Sequence, residues 1–217
     1  MPSLRDLGIT DVPSETVLTT FSPERKPHAS AMGVRAITDR DVKLKIFTAT
    51  KTFQNIDRKG AAVINIVGDA ELLVRLGLPQ IFSSKNIEFE KSKQVDAPRL
   101  LGADAFIEFE VKNVEKDNIS DEIGISEVAY LTGSVKNIEI GDCSPRAFKR
   151  TEFFLIESAI IATRAIEALK RGKKNMAEDM IQEIDHYRKK CDEIAPHSSE
   201  TAHIGKIVDS LECWGES

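Results

Sequence analysis

With 217 residues, 41% hydrophobic and 30% charged, the chain can bury a sizeable core, as one domain or one domain with an appendage. Its 30 basic and 35 acidic side chains divide 18 to 22 before Cys143 and 12 to 13 after it, so neither part has the basic excess that phosphate-backbone binding rewards, and nucleic acid is not an expected partner. No run approaches the roughly 18 to 20 apolar residues of a membrane helix, and the N-terminus lacks a charged-then-apolar targeting pattern, so the expectation is a cytoplasmic protein with no membrane partner.

Short β-rich runs dominate as far as Ser144-Pro145. Thr16 to Phe21, Ala31 to Ile37, Val42 to Phe47, Ala61 to Val67, Phe106 to Val111 and Val128 to Ile138 are separated by turn-rich pieces such as Ser22-Pro23 and Asp39-Arg40-Asp41. Partial alternation in Val42-Lys43-Leu44-Lys45-Ile46 and in Phe106 to Val111 predicts half-buried antiparallel strands. Few long helical patterns interrupt them, which favours a closed or nearly closed antiparallel barrel over a parallel α/β sheet.

After Ser144 the period becomes helical. Ser144 can cap a helix with Pro145 at its first position, and Gly172 is placed to end it. Phe153, Ile156 and Ile160 form one apolar stripe on this helix and Phe154, Ile161, Ala165 and Leu169 another, so two sides need cover. A second helix opens with Asn175 and Glu178 in capping-box spacing, carries Met176, Met180, Ile184, Tyr187 and Cys191, and stops before Pro196. A third, from about Glu200 to Trp214, presents Ile204, Ile207, Val208 and Leu211. The predicted organisation is a barrel over residues 1–143 and a three-helix region over 144–217.

The chemistry concentrates between Lys26 and Asn55. Thr48, Thr50, Lys51, Thr52 and Asn55 sit where a strand gives way to a short helix, which Phe53, Ile56 and Asp57-Arg58-Lys59-Gly60 limit to about two turns. A helix N-terminus exposes unpaired N–H groups and partial positive charge, and hydroxyls with one ammonium beside it can cradle a phosphate. The same residues admit a local reading, in which Thr50 or Thr52 caps a surface helix and Lys51 is solvated. His28 is open to two readings as well: a strand-start histidine after Pro27, or an imidazole donating to an anionic or carbonyl group of a ligand. Ser30 and Met32 can be ordinary strand residues. Ala29, Ala31 and Gly33 would admit a flat ligand to the sheet, or mark a bulge.

Other constellations are weak. Cys143, Cys191 and Cys213 are odd in number and far apart, and they read as reduced thiols. His186, His197 and His203 lack a paired metal-ligand spacing, and no metal site is expected. The run Lys170-Arg171-Gly172-Lys173-Lys174 suits a helix C-terminus.

The segments Glu15 to Thr20, Pro27 to Val34, Phe47 to Asn55, Ala61 to Val67 and Asp104 to Val111, with the Phe154 to Arg164 helix, resemble the archaeal branch of the FMN-binding split-barrel superfamily. That superfamily includes flavin reductases and pyridoxamine-phosphate oxidases. The chain is most similar to an uncharacterised family in it whose barrel is followed by a helical region. The resemblance implies a mainly β fold with α, an antiparallel split barrel with a three-helix C-terminal appendage, and FMN near the subunit interface of a homodimer. It further implies that Thr50, Lys51 and Thr52 take the FMN phosphate with Thr48 and Asn55 beside them, while His28, Ser30 and Met32 approach the flavin ring or ribityl chain. A dense Arg and Lys phosphate site of the pyridoxamine-phosphate oxidase kind is missing, which disfavours that activity, and no Gly-x-Gly-x-x-Gly run signals a nicotinamide domain.

The leading expectation is therefore a homodimeric FMN flavoprotein, an oxidoreductase of flavin reductase-like type that passes electrons between a small-molecule donor and acceptor. The alternatives are a non-catalytic flavin-binding or sensing module whose helical tail recruits a partner, and a haem barrel with His28 as axial ligand.

Overall fold

The computed structural model describes residues 2–83, 86–142, 147 and 149–215. The chain forms two compact units, Met1–Gly68 with Lys85–Pro145, and Asp69–Ser84 with Arg146–Ser217.

In the first unit six strands close an antiparallel barrel in the order β1-β2-β3-β8-β7-β4. They are β1 (Ser14–Phe21), β2 (Pro27–Ala36), β3 (Asp41–Phe47), β4 (Ala61–Ile66), β7 (Ala105–Ser120) and β8 (Ile125–Ile140). Helix α1 (Lys51–Lys59) lies between β3 and β4, and β5 (Phe89–Lys91) pairs with β6 (Pro98–Leu100) as a two-stranded hairpin. The fold is the split barrel expected from the sequence.

Alternation sorts the side chains of β3, where Val42, Leu44 and Ile46 are buried and Lys43 and Lys45 are exposed. On β1 the residues from Thr16 to Thr20 are all buried, because α1 and β6 also pack on this strand. Leu18, Val34, Leu44, Ile46, Ile64, Ile107, Phe109 and Leu131 form the barrel core, and Phe53 and Ile56 of α1 join it.

The β1–β4 seam spans only three residue pairs, from Val17↔Asn65 to Thr19↔Val63, and side chains reinforce it. Buried Asn65 donates through Nδ2 to the Val17 carbonyl and to Thr19 Oγ1, both at 2.9 Å, and accepts the Leu100 N–H at 2.8 Å. Thr19 Oγ1 in turn donates to the Pro98 carbonyl at 2.6 Å. One asparagine and one threonine therefore tie β1, β4 and β6 together, with buried polar groups paired as the interior requires.

Strand ends depart from expectation where the hydrophobic pattern stops before the backbone pairing does. β2 starts at Pro27 rather than Ala31, which places His28 inside the strand. Its continuous register with β1 from Ser14↔Val34 to Phe21↔Pro27 leaves no bulge at Ala29, Ala31 or Gly33. β7 runs on from Val111 to Ser120, and β8 starts at Ile125 rather than Val128.

The second unit holds α2 (Ala70–Gly77), α3 (Arg150–Lys170), α4 (Lys174–Ile194) and α5 (Ser199–Gly215), the last three being the expected C-terminal helices. No periodic pattern in the sequence marks α2 as a helix. Asp69 caps it by accepting the Leu72 N–H at 3.0 Å, and Ala70 and Val74 join Leu78, Phe82, Leu155, Ala162, Ile166 and Ile184 in one core. The expected cap at Ser144-Pro145 lies outside the described residues, and α3 begins at Arg150 with the Glu152 carboxylate accepting the Lys149 N–H at 3.1 Å. Gly172 ends that stretch in the left-handed region at φ 72°, as its position predicted.

Two helical expectations are corrected. On α3 the second expected stripe holds, with Ala165 buried and Phe154, Ile161 and Leu169 packed on the same core as Leu155, Ala159, Ala162 and Ile166, while Phe153 and Ile160 of the first stripe are 48% and 41% exposed. Ala159 and Ala162 are buried beside Leu155 and Ile166, so the inward face was misjudged only where bulk stood in for position, at Phe153 and Ile160. α4 starts at Lys174, one residue before the expected Asn175 cap, because the chain re-enters helix directly after the Gly172 turn.

Candidate functional site

The β1–β2 register sets the site. Thr20 faces His28, Leu18 faces Ser30 and Thr16 faces Met32, and residues opposite one another share a face of the sheet. Leu18 belongs to the barrel core, so His28, Ser30 and Met32 stand on its side, with Met32 packed on that core. Ala29, Ala31 and Gly33 take the opposite face of β2.

Helix α1 closes over this row. Thr50 is its N-cap, accepting the Phe53 N–H at 3.2 Å and donating to the Phe47 carbonyl at 2.8 Å. Of the two caps the sequence allowed, Thr50 is the one used. Its left-handed end is Gly60, at φ 66°. Thr52, buried one position beyond Lys51, brings its hydroxyl to 3.1 Å from His28 Nε2 and 2.9 Å from Ser30 Oγ. One turn on, buried Asn55 donates to Thr20 Oγ1 at 3.0 Å. Thr48 stands apart from this cluster, binding the Glu127 carbonyl of β8 through both its N–H and its hydroxyl.

Of the eight predicted site residues, His28, Ser30 and Thr52 thus form one hydrogen-bonded group, with Lys51 and Asn55 on the same helix. Met32 lines the adjoining row, Thr50 serves as the cap, and Thr48 serves the β3–β8 joint. The sequence reading missed Thr20 and Lys116. Thr20 was findable from the Thr16-Leu18-Thr20 alternation once paired with β2. Lys116, on the distal part of β7, reaches 5.2 Å from the Phe53 ring centroid and puts a second ammonium beside the first turn of α1. Its polar surroundings on β7 give no periodic signal.

The electrostatics point one way. Burial, and secondarily the positive charge of Lys51, push His28 below its ordinary 6.5, so the imidazole is neutral at pH 7. Lys51 itself is exposed at the first helical position, where the N–H groups of Lys51 and Thr52 have no intrahelical acceptor. With the imidazole proton on Nε2, His28 donates to Thr52 Oγ1, and of the Thr52 and Ser30 hydroxyls, either of which can donate to the other, one keeps its proton for a ligand. Helix N–H groups, a hydroxyl donor and an ammonium are the donor set of an anion site, and a phosphate monoester fits it. His28 Nε2 is turned to Thr52, which is not the arrangement of a free axial ligand.

Fold and site together define a split-barrel protein with a cluster of hydroxyl, amide and ammonium donors at the start of α1. Residues 14–132 match the N-terminal domain of a family described as a protein of unknown function, DUF447, and the chain belongs to that family. An FMN-bound protein of the same family from Methanosarcina mazei is 20% identical and superposes with a TM-score of 0.68 over 95% of this chain and 99% of that one. Nitrilotriacetate monooxygenase component B from Bacillus cereus is 12% identical over 68% of this chain and 80% of its own, with a TM-score of 0.49. Flavoredoxin of Desulfovibrio vulgaris is 17% identical over 62% and 73%, with a TM-score of 0.47. At 20% identity the likeness to the Methanosarcina mazei protein is one of fold.

No helix among the described residues is long and apolar enough to cross a membrane, and no cluster of three metal-ligating side chains occurs among them.

Proposed function

We propose that the protein binds FMN at the β2–α1 corner and acts as a flavin-dependent oxidoreductase of flavin reductase-like type, working between a small-molecule electron donor and acceptor. The observation that carries this reading is the His28–Thr52–Ser30 group beside Lys51 at the α1 N-terminus, a phosphate-type donor set on the inner row of β2. The FMN bound by the Methanosarcina mazei member of the family supports it. FMN supplies the redox chemistry when bound. Lys51, Thr52 and the first N–H groups of α1 hold the phosphate. His28 and Ser30 orient the Thr52 hydroxyl toward it, Asn55 is fixed through Thr20, and Met32 offers apolar surface along the same row.

The protein is further proposed to work as a homodimer with the flavin near the subunit interface. Phe47 and Ile125, at the two strand ends joined through Thr48 and Glu127, are 50% and 68% exposed, which is apolar surface a partner would cover. Light scattering at micromolar concentration is expected to give about twice the chain mass of 24.1 kDa, and a value near 24.1 kDa refutes the dimer.

The cofactor test is a fluorescence titration of FMN and of riboflavin. Charge-assisted hydrogen bonds to phosphate contribute about 1.5–3 kcal/mol each, so Lys51→Glu should weaken FMN at least about tenfold and leave riboflavin nearly unaffected. Equal FMN affinities, or parallel losses for both flavins, would overturn the phosphate assignment. Rapid bleaching of the bound flavin by a reduced nicotinamide without oxygen supports the enzyme, and an inert flavin supports a sensing module.

A further inference from the structure

The proposed reading assigns His28 only to orienting Thr52, yet the geometry gives this imidazole a second consequence. It sits one hydrogen bond from the hydroxyl that would hold the ligand's phosphate, at 3.1 Å. The groups around it are few in kind. β1 presents Thr20 opposite, β2 presents Ser30 on the same face, α1 presents Thr52 and Lys51, and β7 brings the Lys116 ammonium to the first turn of α1. Lys51 supplies the charge felt at the ring, and together with burial it keeps the free site's imidazole neutral.

An incoming phosphate reverses that balance. It carries about 1.5 to 2 negative charges at pH 7, opposed by the Lys51 and Lys116 ammoniums, and it places them one hydrogen bond beyond Thr52, beside a group that can accept a proton. An opposite charge within about 4–6 Å favours the charged form of a histidine. The protonated ring also suits the hydrogen bonds already present: Nε2 donates to Thr52, whose own proton then points to the phosphate.

We infer that docking of the phosphate at the first turn of α1 draws a proton from solvent onto His28, so the site takes up its anionic ligand together with a proton and holds it more tightly as the pH falls. This rests on the FMN reading above. The sign follows from linkage: binding that raises a group's proton affinity must itself be strengthened by protons. The phosphate's own second ionisation, near about pH 6, opposes the trend at acid pH and is essentially complete by about pH 7.5. Proton uptake measured there therefore belongs to the protein.

The experiment is calorimetric titration of FMN into flavin-free protein at pH 7.5, in Tris and in HEPES, whose ionisation enthalpies differ. Uptake of a measurable fraction of a proton is expected for FMN and none for riboflavin, and it should vanish in His28→Gln and His28→Asn. Identical apparent enthalpies in the two buffers for wild type overturn the inference, as does unchanged uptake in the folded variants. If both variants fail to fold, an NMR titration of the His28 ring in wild type gives the same answer. Its midpoint must rise with FMN bound, and a fixed midpoint overturns the inference. Failure here is separable from failure of the cofactor reading. FMN that binds in a Lys51-dependent way without proton uptake removes the inference alone, whereas FMN that does not bind, or ignores Lys51→Glu, removes both.

Discussion

Thr52 carries two hydrogen-bonding neighbours on one oxygen, and its removal separates the roles proposed for it. Thr52→Val keeps the shape but leaves His28 Nε2 and Ser30 Oγ without their partner on the inner side of β2. Both groups are half-buried and can turn to water, so chemical denaturation should show a loss of about 0.5–1.5 kcal/mol, the net worth of a hydrogen bond, and FMN should weaken as well. Thr52→Ser retains the hydroxyl and should recover most of both. A valine variant with wild-type stability and FMN affinity would mean that the three side chains are solvated individually. This group was half legible in the sequence. The i, i+2 hydroxyls and the lysine at a strand-to-helix change marked the place, because helix capping is a local matter read from neighbours in the chain. Which side chains meet was not legible, since the Thr52 contact to His28 depends on the β1–β2 register and on where α1 lies across it.

Among the elements, the β7–β8 pair shows where a pattern carries information and where it cannot. The first part of β7, Ala105 to Phe109, is buried and hydrophobic except for Glu108, and the sequence revealed it. The distal half is mostly polar, with Lys112, Asn113, Glu115, Lys116, Asp117 and Asn118 around the isolated core contacts Val111 and Val114, and pairing to β8 chiefly defines it. Hairpin β5–β6 escaped for a related reason. Its three-residue strands are held by side chains distant in sequence, with the fully buried Glu108 carboxylate accepting the Lys93 and Gln94 N–H groups at 2.9 and 2.6 Å. Between the two halves of β7 the register shifts at Glu108/Phe109 and again at Val111/Asn113, and the Phe109 ring lies over Gly133 of β8. A Cβ at Gly133 would collide with that ring. Gly133→Ala gains about 0.5–1 kcal/mol from a less flexible unfolded chain but must displace a fully buried phenylalanine, which costs about 1–3 kcal/mol. With a fully buried ring to displace, overpacking exceeds the gain by up to about 2.5 kcal/mol, and a Tm lower by up to roughly 10 °C is expected at about 2–4 °C per kcal/mol for a chain of this size. A Tm equal to or above wild type would show that the ring moves freely aside.

At the scale of the whole chain, α2 decides how the protein can be divided. Residues 69–84 leave the barrel's strand sequence after β4 and return before β5, yet their core partners lie some 70 or more positions later. The helix escaped the sequence reading because eight residues are too short to establish a period, and its apolar side chains find their cover on α3 rather than on neighbours in the chain. Cutting the protein where its periodicity changes, at 143/144, would therefore leave α2 without a core. Ala70, Val74, Leu78 and Phe82 would lose the α3 side chains Leu155, Ala159 and Ala162 against which their cluster is built. Exposed apolar surface of that kind binds hydrophobic dyes and promotes association. A fragment of residues 1–143 is expected to bind such a dye strongly and to sediment as a mixture of sizes. The same fragment with 69–84 replaced by a short Gly/Ser linker should do neither, since Gly68 and the β5 strand both belong to the barrel unit. If the unmodified fragment unfolds cooperatively and ignores the dye, the segment 69–84 does not need the C-terminal helices. The barrel would then tolerate a boundary at 143/144 with α2 left in place.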